Sequence, residues 1–394
     1  MLRKSYLMIL VVILFSLGQA SRAAVKNVIL MIGDGLGFEH VKAASLYAYG
    51  EEEKLSFEQY YRGEVTTHSA NSYLENNHAT DSAASATAMA TGQKVNNKII
   101  SERSRQPIKT ILEHLQEKGK ATGLVTTVPI THATPAGFGA HSRTRSNYSD
   151  IANDYMTQTR PNLLFGAYYK NGRGMTVEKA KQAEYAVATT RQQMLDLVGP
   201  IDKNSTEVFF LAGLFSPEGM QYEYDYYHPP VILFLLEEII DVPNYDTVPH
   251  LSEMTSAALR VLDNDPDGFF LMVEGGKIDW AAHNNIIEFT VFETLEFDRA
   301  FRVVMDWAQN REDTLIVVTS DHECGGLKVV KNNRRGFMPE VFWGSKEHTG
   351  ANVPIYAAGE GAGEFVGVID NTDIFKIIVN LTGESPVPAP QQEQ

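Results

Sequence analysis

The segment from Thr80 to Ala88 reads TDSAASATA and places Ser82 at the head of an alanine-rich run. Alanine favours a helix, and Thr80, Asp81 or Ser82 can cap its N-terminus. At a helix start, unpaired N–H groups and the positive end of the helix dipole favour an anion such as phosphate. The segment contains no histidine to take the serine proton. It therefore predicts either an ordinary helix start or a nucleophile that another group activates.

Polar residues end or follow four apolar runs of strand length, which are NVILMIG, ATGLVTT, GFFLMVE and TLIVVTS. The candidate ligands at these endings are Asp34, His132, Thr134, Glu274, Asp321 and His322. One such ending is ordinary, because Asp is common in turns. Ligands of α/β sheets, however, bind beyond the carboxyl ends of the strands. Four polar endings together indicate a site for metal ions or anions.

Asp279 and His283 stand four residues apart in KIDWAAH, a spacing that places both on one face of a helix. Surface neighbours often show the same spacing, and His348 in KEHTG is compatible with a simple turn. Carboxylate and imidazole ligands without thiolate are typical of catalytic zinc sites. Zinc in contact with the Ser82 oxygen would ionise it, as zinc lowers the pKa of bound water from about 15.7 to about 7. Metal can thus replace the missing histidine.

Six apolar runs of strand length occur in all, since EVFFLAG and VPIYAAG join the four above. Helical patterns lie between several of them, such as TILEHLQEKG and the segment from Ile286 to Gln309. In that segment, apolar residues recur at steps of three and four. Alternating strands and helices predict an α/β fold, a three-layer α/β/α sandwich with a mostly parallel central sheet and short insertions.

The chain shows no internal repeat and no low-complexity linker. Residues 146–250 are less regular and include a tyrosine-rich loop, MQYEYDYYHPP. We interpret them as insertions on the sheet, so that residues 24–383 form a single catalytic domain. The ending ESPVPAPQQEQ, residues 384–394, has the composition of a disordered tail.

The first 23 residues have the pattern of a secretory signal peptide. Arg3 and Lys4 precede an apolar stretch from Leu7 to Leu17, and small residues allow cleavage after Ala20 or Ala23. That stretch is too short to span a bilayer. We therefore expect an exported protein, periplasmic or secreted, without a membrane anchor.

Composition narrows the possible partners. The 394 residues can bury a large core, and the formal net charge of −15 argues against nucleic acid, which is bound through Lys and Arg. The single cysteine, Cys324, excludes an intramolecular disulfide. Stability must therefore come from the core or from bound metal.

The chain resembles the alkaline phosphatases from residue 27 to about residue 360. The motifs that carry the resemblance, in the family's order, are MIGDG, TDSAASATA, THATPAGFGAHSRTR, LAGLF, VEGGKIDWAAH, TSDHE and KEHTG. The resemblance implies a phosphomonoesterase with two zinc ions and one magnesium ion that reacts through a phosphoserine. It also implies a homodimer, with the insertions near the dimer interface reduced because the chain is short for the family.

Matching positions suggest the role of each site residue. Ser82 resembles the nucleophile, and Arg145 resembles the arginine that grips two phosphate oxygens, with its neighbour Arg143 as the alternative. The ligands of the zinc that serves the hydrolytic water and the ester oxygen would be Asp279, His283 and His348. Those of the second zinc, which holds Ser82, would be Asp321, His322 and Asp34. Asp34 would bridge to the magnesium, whose remaining ligands would be Thr134 and Glu274.

Three positions depart from the family pattern or vary within it. His132 stands where members carry Asp or His, so we expect it beside the magnesium ligands rather than among them. Trp280 also occupies a variable position, where it would alter contacts to phosphate or water. Cys324, two residues beyond His322, is predicted to be a small buried side chain rather than a ligand.

The resemblance implies hydrolysis of small-molecule phosphate monoesters at alkaline pH. Two alternatives stay open: a two-zinc phosphodiesterase or nucleotide pyrophosphatase, and a secreted metal- or phosphate-binding protein without turnover. A sulfatase is disfavoured, because the sequence has no Cys-x-Pro-x-Arg or Ser-x-Pro-x-Arg segment to supply its modified nucleophile.

Overall fold

The computed structural model describes residues 25–72, 78–199, 201, 209–228 and 247–383. The predicted signal peptide over residues 1–23 and the predicted tail over residues 384–394 lie outside these ranges. Within the described ranges, no helix combines the length and the apolar character that crossing a membrane requires.

A ten-stranded sheet lies at the centre of the fold. The described residues form sixteen strands in all, and six of them make three small two-stranded sheets, β3 with β4, β11 with β14 and β12 with β13. The strands are β1 Asn27–Gly33, β2 Tyr61–Thr66, β3 Glu102–Arg103, β4 Gln106–Pro107, β5 Ala121–Pro129, β6 Leu163–Tyr168, β7 Ala186–Ala188, β8 Leu211–Pro217, β9 Phe269–Gly275, β10 Thr314–Thr319, β11 Glu323–Cys324, β12 Leu327–Lys331, β13 Glu340–Trp343, β14 His348–Thr349, β15 Val353–Gly359 and β16 Gly367–Asp370. The large sheet has the order β16-β2-β15-β10-β1-β9-β5-β6-β8-β7. Its strands pair in parallel except β15, which is antiparallel to β10 and β2.

Helices cover both faces of this sheet. They are α1 Phe38–Tyr49, α2 Ser82–Thr91, α3 Ile111–Gln116, α4 Ala133–Gly139, α5 Tyr148–Thr157, α6 Val177–Gln182, α7 Arg191–Val198, α8 Glu223–Tyr227, α9 Leu251–Leu262, α10 Lys277–His283, α11 Ile287–Ala308 and α12 Asn371–Leu381. Alternate residues of β1 enter two separate cores, with Ile29 and Met31 packed among α1, α9 and α11. Val28 and Leu30 pack on the other face, among α2, α3, α4 and α12. The predicted three-layer α/β/α sandwich is confirmed.

Several predicted elements coincide with the observed ones. β1 and β15 match the runs NVILMIG and VPIYAAG, and α11 runs from Ile287 to Ala308, against a predicted segment from Ile286 to Gln309. β8 begins at Leu211, later than the run EVFFLAG suggests.

The interpretation of residues 146–250 as insertions needs correction, because β6, β7 and β8 extend the central sheet. Gly166 in β6 serves close packing against β5. A Cβ at Gly166 would lie 2.8 Å from Thr126 Cγ2 and 3.0 Å from the Val128 carbonyl oxygen of β5. The tyrosine-rich segment, predicted as a loop, contains the short helix α8, and its last two residues lie outside the described ranges.

Candidate active site

Ser82 is the first residue of α2 and is buried. Asp81 is the N-cap, and its carboxylate accepts a hydrogen bond from the Ala84 N–H at 3.0 Å. The Ser82 Oγ lies 3.4 Å from His322 Nε2 and 3.5 Å from Arg145 Nη1. The predicted helix start is therefore confirmed, and an imidazole and a guanidinium flank the hydroxyl.

Arg145 is held from two sides. Its Nη1 donates to Asp81 Oδ2 at 3.0 Å, and its Nη2 lies 3.0 Å from His132 Nε2. Burial and the charge of Arg145 lower the pKa of His132 to about 3, so the neutral imidazole can accept this hydrogen bond. Arg143, the alternative phosphate ligand, is exposed.

Oxygen ligands without hydrogen-bond partners gather where β1 and β9 end. Both carboxylate oxygens of Asp34, Oε1 of Glu274 and the Thr134 hydroxyl are buried and unpaired among the described residues. Burial and neighbouring carboxylates raise the pKa of Asp34 well above its usual range, and burial raises that of Glu274 to about 7. Buried unpaired carboxylates need a proton or a cation. An all-oxygen set of this kind fits magnesium.

Asp321 and His322 follow the end of β10 after one intervening residue, Ser320. The backbone N–H groups of Gly35 and His322 donate to Asp321 Oδ1 at 3.1 and 3.0 Å, whereas Oδ2 has no hydrogen-bond donor. His322 Nε2 lies 3.2 Å from this Oδ2 and 3.5 Å from Asp34 Oδ1. Gly35 allows the close approach, because its φ is +75° and a Cβ there would lie 3.0 Å from the Asp279 Cα. The three side chains can therefore share one cation.

Asp279 and His283 on α10 meet His348 from β14. The Asp279 carboxylate lies 3.4 Å from the Nε2 of each histidine, and the two Nε2 atoms lie 3.1 Å apart. The Nδ1 of His348 lies 2.9 Å from the Thr80 carbonyl oxygen, and that of His283 contacts the Lys346 carbonyl. With Nδ1–H directed at a carbonyl, Nε2 is the nitrogen that would bind zinc once it has lost its proton. In the metal-free protein the Asp279 carboxylate, against the effect of burial, raises the pKa of His348 to about 9. Although burial opposes it, His348 and the other imidazoles hold the pKa of Asp279 well below its usual range.

The described residues form four groups of potential metal ligands, each with its ligand atoms within 4.8 Å of one another, and three of these groups lie at this site. They are Asp279, His283, His348 and Cys324; Asp34, Asp279 and His322; and Asp34, His132 and Glu274. Asp34 and Asp279 each belong to two of these groups, so either carboxylate could contact two ions. Cys324 is buried as predicted, and burial raises the pKa of its thiol, which keeps it protonated and disfavours metal binding.

The structure brings all the predicted site residues to the carboxyl edge of the sheet, including Trp280, whose ring lies 6.2 Å from that of His132. Sequence reasoning missed two supporting hydroxyls. Ser85 donates to the Asp321 carbonyl at 2.7 Å, and Thr126 donates to Glu274. Ser85 lies one helical turn beyond Ser82, a spacing that could have signalled its position.

A mostly parallel α/β sheet that gathers a serine, an arginine and a cluster of carboxylates and imidazoles at its carboxyl edge defines an α/β enzyme with a candidate metal centre. The profile of the alkaline phosphatase family matches residues 25–339 and 328–383. This chain belongs to that family. Alkaline phosphatase 3 of Bacillus subtilis is 31% identical over 439 residues, covering 89% of this chain and 88% of the relative. Streptomycin-6-phosphate phosphatase of Streptomyces griseus is 31% identical over 419 residues, covering 92% and 91%.

Solved structures agree with this assignment. A cold-active alkaline phosphatase from Shewanella sp. superimposes with a TM-score of 0.74 and 26% identity, covering 91% of this chain and all of that one. The alkaline phosphatase of the Antarctic bacterium TAB5 gives a TM-score of 0.72 and 28% identity, covering 92% and 99%. A histidine-to-aspartate variant of the TAB5 enzyme has magnesium bound in its M3 site. Family membership makes the present chain a hydrolase that acts on phosphate esters.

Metal removal is expected to cost more stability at pH 8 than at pH 5. In the metal-free protein, burial raises the pKa of Asp321 to about 6 and that of Glu274 from 4.5 to about 7. A carboxyl group with a raised pKa binds more protons in the folded state than in the unfolded state. The metal-free folded protein therefore loses stability as the pH rises from about 4.5 through about 7. Bound cations would remove this loss of stability.

Calorimetry of chelated and metal-loaded protein at both pH values checks this. We expect the Tm difference to be larger at pH 8 by about 3 °C or more. An equal difference at pH 5 and pH 8 would show that these carboxyls do not carry the effect.

Proposed function

We propose that this protein hydrolyses phosphate monoesters to an alcohol and inorganic phosphate through a phosphoserine on Ser82, with two zinc ions and one magnesium ion as cofactors. One observation carries the proposal. The buried Ser82 hydroxyl, at the N-terminus of a ten-residue helix, lies within 3.5 Å of a guanidinium and beside buried, unpaired carboxylate oxygens.

The protein groups divide the work of phosphoryl transfer. Arg145 binds two phosphate oxygens, and Asp81 and His132 hold its guanidinium in place. The Ser82 hydroxyl gives up its proton to water and its oxygen attacks phosphorus, while the phosphorus–oxygen bond to the alcohol breaks and the departing oxygen takes up a proton. Water then attacks the phosphoserine and releases inorganic phosphate. The positive end of the α2 dipole stabilises the phosphoryl oxygens in both steps.

The side chains fit the metal ions that the family implies. Asp279, His283 and His348 would hold one zinc, and Asp321, His322 and Asp34 the other, while Asp34, Thr134 and Glu274 would hold magnesium. When bound, such ions ionise the serine and the water and stabilise the charge of the leaving oxygen. Four carboxylates oppose six cationic charges from three divalent ions, and Arg145 adds one more. The site is therefore locally cationic within an acidic protein and suits a phosphate dianion.

Chelation is expected to abolish hydrolysis of a chromogenic aryl phosphate. Activity should return on addition of zinc together with magnesium. Zinc alone should restore it only partly, because the proposed magnesium ligands beside Asp34 would then lack their cation. Turnover by the parent enzyme would also rule out a binding protein without catalysis. Full activity in protein shown by elemental analysis to be metal-free would refute the metal assignment.

We also predict that the protein is exported to the periplasm or the medium, that it forms a homodimer, and that residues 24–383 make up a single catalytic domain. Size-exclusion chromatography with light scattering would determine the oligomeric state of the mature protein.

A further inference from the structure

Three side chains form a stack beside the candidate active site: Tyr222, Lys277 and Trp280. Lys277 is the first residue of α10, and Trp280 follows one turn later on the same face. The Lys277 Nζ lies 3.4 Å from the centre of the Tyr222 ring and 5.0 Å from that of Trp280. Lys277 is only 5% exposed. Because the ammonium is largely removed from water, its attraction to the two rings is strong.

The neighbouring residues fix both sides of this stack. Tyr222 packs flat on Phe289, with ring centres 4.3 Å apart. The Lys277 backbone N–H donates to Thr127 Oγ1 at 3.1 Å. Burial lowers the pKa of Lys277 to about 8, and the carboxyl groups of Glu293 and Asp225 oppose this shift, so the side chain is cationic at pH 7. The lysine is therefore held at both its backbone and its charged end.

Trp280 connects the stack to the phosphate-binding arginine. Its indole meets the His132 ring edge-to-face, with an interplanar angle of 78°, and His132 Nε2 lies 3.0 Å from Arg145 Nη2. Gly219 packs against the Trp280 indole. Its φ is +142°, and a Cβ there would lie only 2.8 Å from the indole. The contacts thus run without a gap from Lys277 through Trp280 and His132 to Arg145.

We propose that Lys277 is a positioning residue for phosphate binding: its ammonium, between Tyr222 and Trp280, fixes the indole against His132 and thereby fixes the Arg145 guanidinium. The inference rests on the proposed function, because it takes Arg145 as the group that binds phosphate. The Lys277 side chain contacts the Tyr222 and Trp280 rings and is not itself a ligand of phosphate or metal in this proposal.

Lys277→Met removes the charge and keeps the length of the side chain. We expect the Kd of the metal-loaded enzyme for inorganic phosphate, measured by titration calorimetry, to rise about tenfold, equivalent to about 1.4 kcal/mol. We expect kcat for an aryl phosphate to be unchanged or raised, because weaker binding speeds phosphate release. Lys277→Arg keeps a cation between the rings and should bind phosphate within about twofold of the parent. Arg334→Met is a matched control, because it removes an exposed cation that lies 4.2 Å from the Phe337 ring.

A double-mutant cycle separates positioning from general destabilisation. If Lys277 acts through the indole, Lys277→Met should add nothing to the loss of phosphate affinity caused by Trp280→Ala. An unchanged Kd in Lys277→Met, or losses that multiply in the double variant, would overturn the proposal. Should Lys277→Met fail to fold, Tyr222→Leu tests the contact from the other ring, with a raised Kd in support and an unchanged Kd against.

Measurements on the parent enzyme distinguish failure of the proposed phosphatase function from failure of the proposed role of Lys277. A parent that neither binds phosphate nor hydrolyses an aryl phosphate would refute the proposed function. A parent that does both, with Lys277→Met indistinguishable from it, would refute the role of Lys277 alone.

Discussion

Ser82→Ala is expected to lower kcat/KM for an aryl phosphate by roughly 10³-fold or more, as removal of a catalytic nucleophile does in other enzymes. The hydroxyl is buried at the start of α2, with Arg145 Nη1 at 3.5 Å and His322 Nε2 at 3.4 Å. A small residual rate from direct attack of water on the ester is compatible with this assignment. Steady-state kinetics of metal-loaded enzyme measures the loss.

Thr91→Ala provides the matched control. It removes a buried hydroxyl from the last residue of the same helix, where Thr91 Oγ1 donates to the Thr87 carbonyl at 2.7 Å. We expect its kcat/KM to stay within about threefold of the parent, because α2 is otherwise intact. Turnover by Ser82→Ala at the rate of the parent would remove Ser82 from the mechanism.

The parent enzyme is expected to prefer an aryl phosphate over its methyl diester by roughly 10³-fold or more in kcat/KM. Two zinc ions could be held without Glu274 or Thr134, so these buried and unpaired oxygens indicate a third cation beside Asp34. Such a cation would add positive charge near the third phosphoryl oxygen. A monoester carries an extra negative charge on this oxygen, whereas a diester carries a bulky substituent.

Glu274→Ala should selectively remove this preference. We expect monoester activity to fall roughly 10²-fold, with the slight diester activity little changed. Glu296→Ala, which removes a different buried carboxylate that accepts from the Ser252 N–H at 2.8 Å, controls for loss of buried charge. Equal parent efficiencies on both substrates, or a diester preference, would instead favour the phosphodiesterase alternative.

Much of the central sheet could be predicted, because its middle strands are fully buried and read as continuous apolar runs. β1 shows this most clearly, since all seven of its residues are buried. The outer part could not be predicted in the same way. β7 has three residues, and β6 contains Gly166, whose place beside β5 depends on contacts that appear only after the strands pair.

The site residues likewise include some that the sequence predicts and others whose positions depend on strand pairing. Asp34, Glu274 and Asp321 stand at the ends of the buried runs, so the sequence predicts that they share an edge. The position of His348 beside Asp279 depends instead on the pairing of β14 with β11, which no local pattern reveals. The contact of Thr126 with Glu274 depends on β5 lying next to β9, where these two residues are register partners.

Phosphate on Ser82 is the most direct test of the account. Metal-loaded enzyme would be mixed with an aryl phosphate at acidic pH, quenched in acid, digested, and analysed by peptide mass spectrometry. We expect a phosphorylated peptide that contains Ser82, with fragment ions that place the phosphate on that residue, and no such peptide from Ser82→Ala. Phosphate on another side chain, or an active enzyme that yields no phosphopeptide under these conditions, would contradict hydrolysis through Ser82.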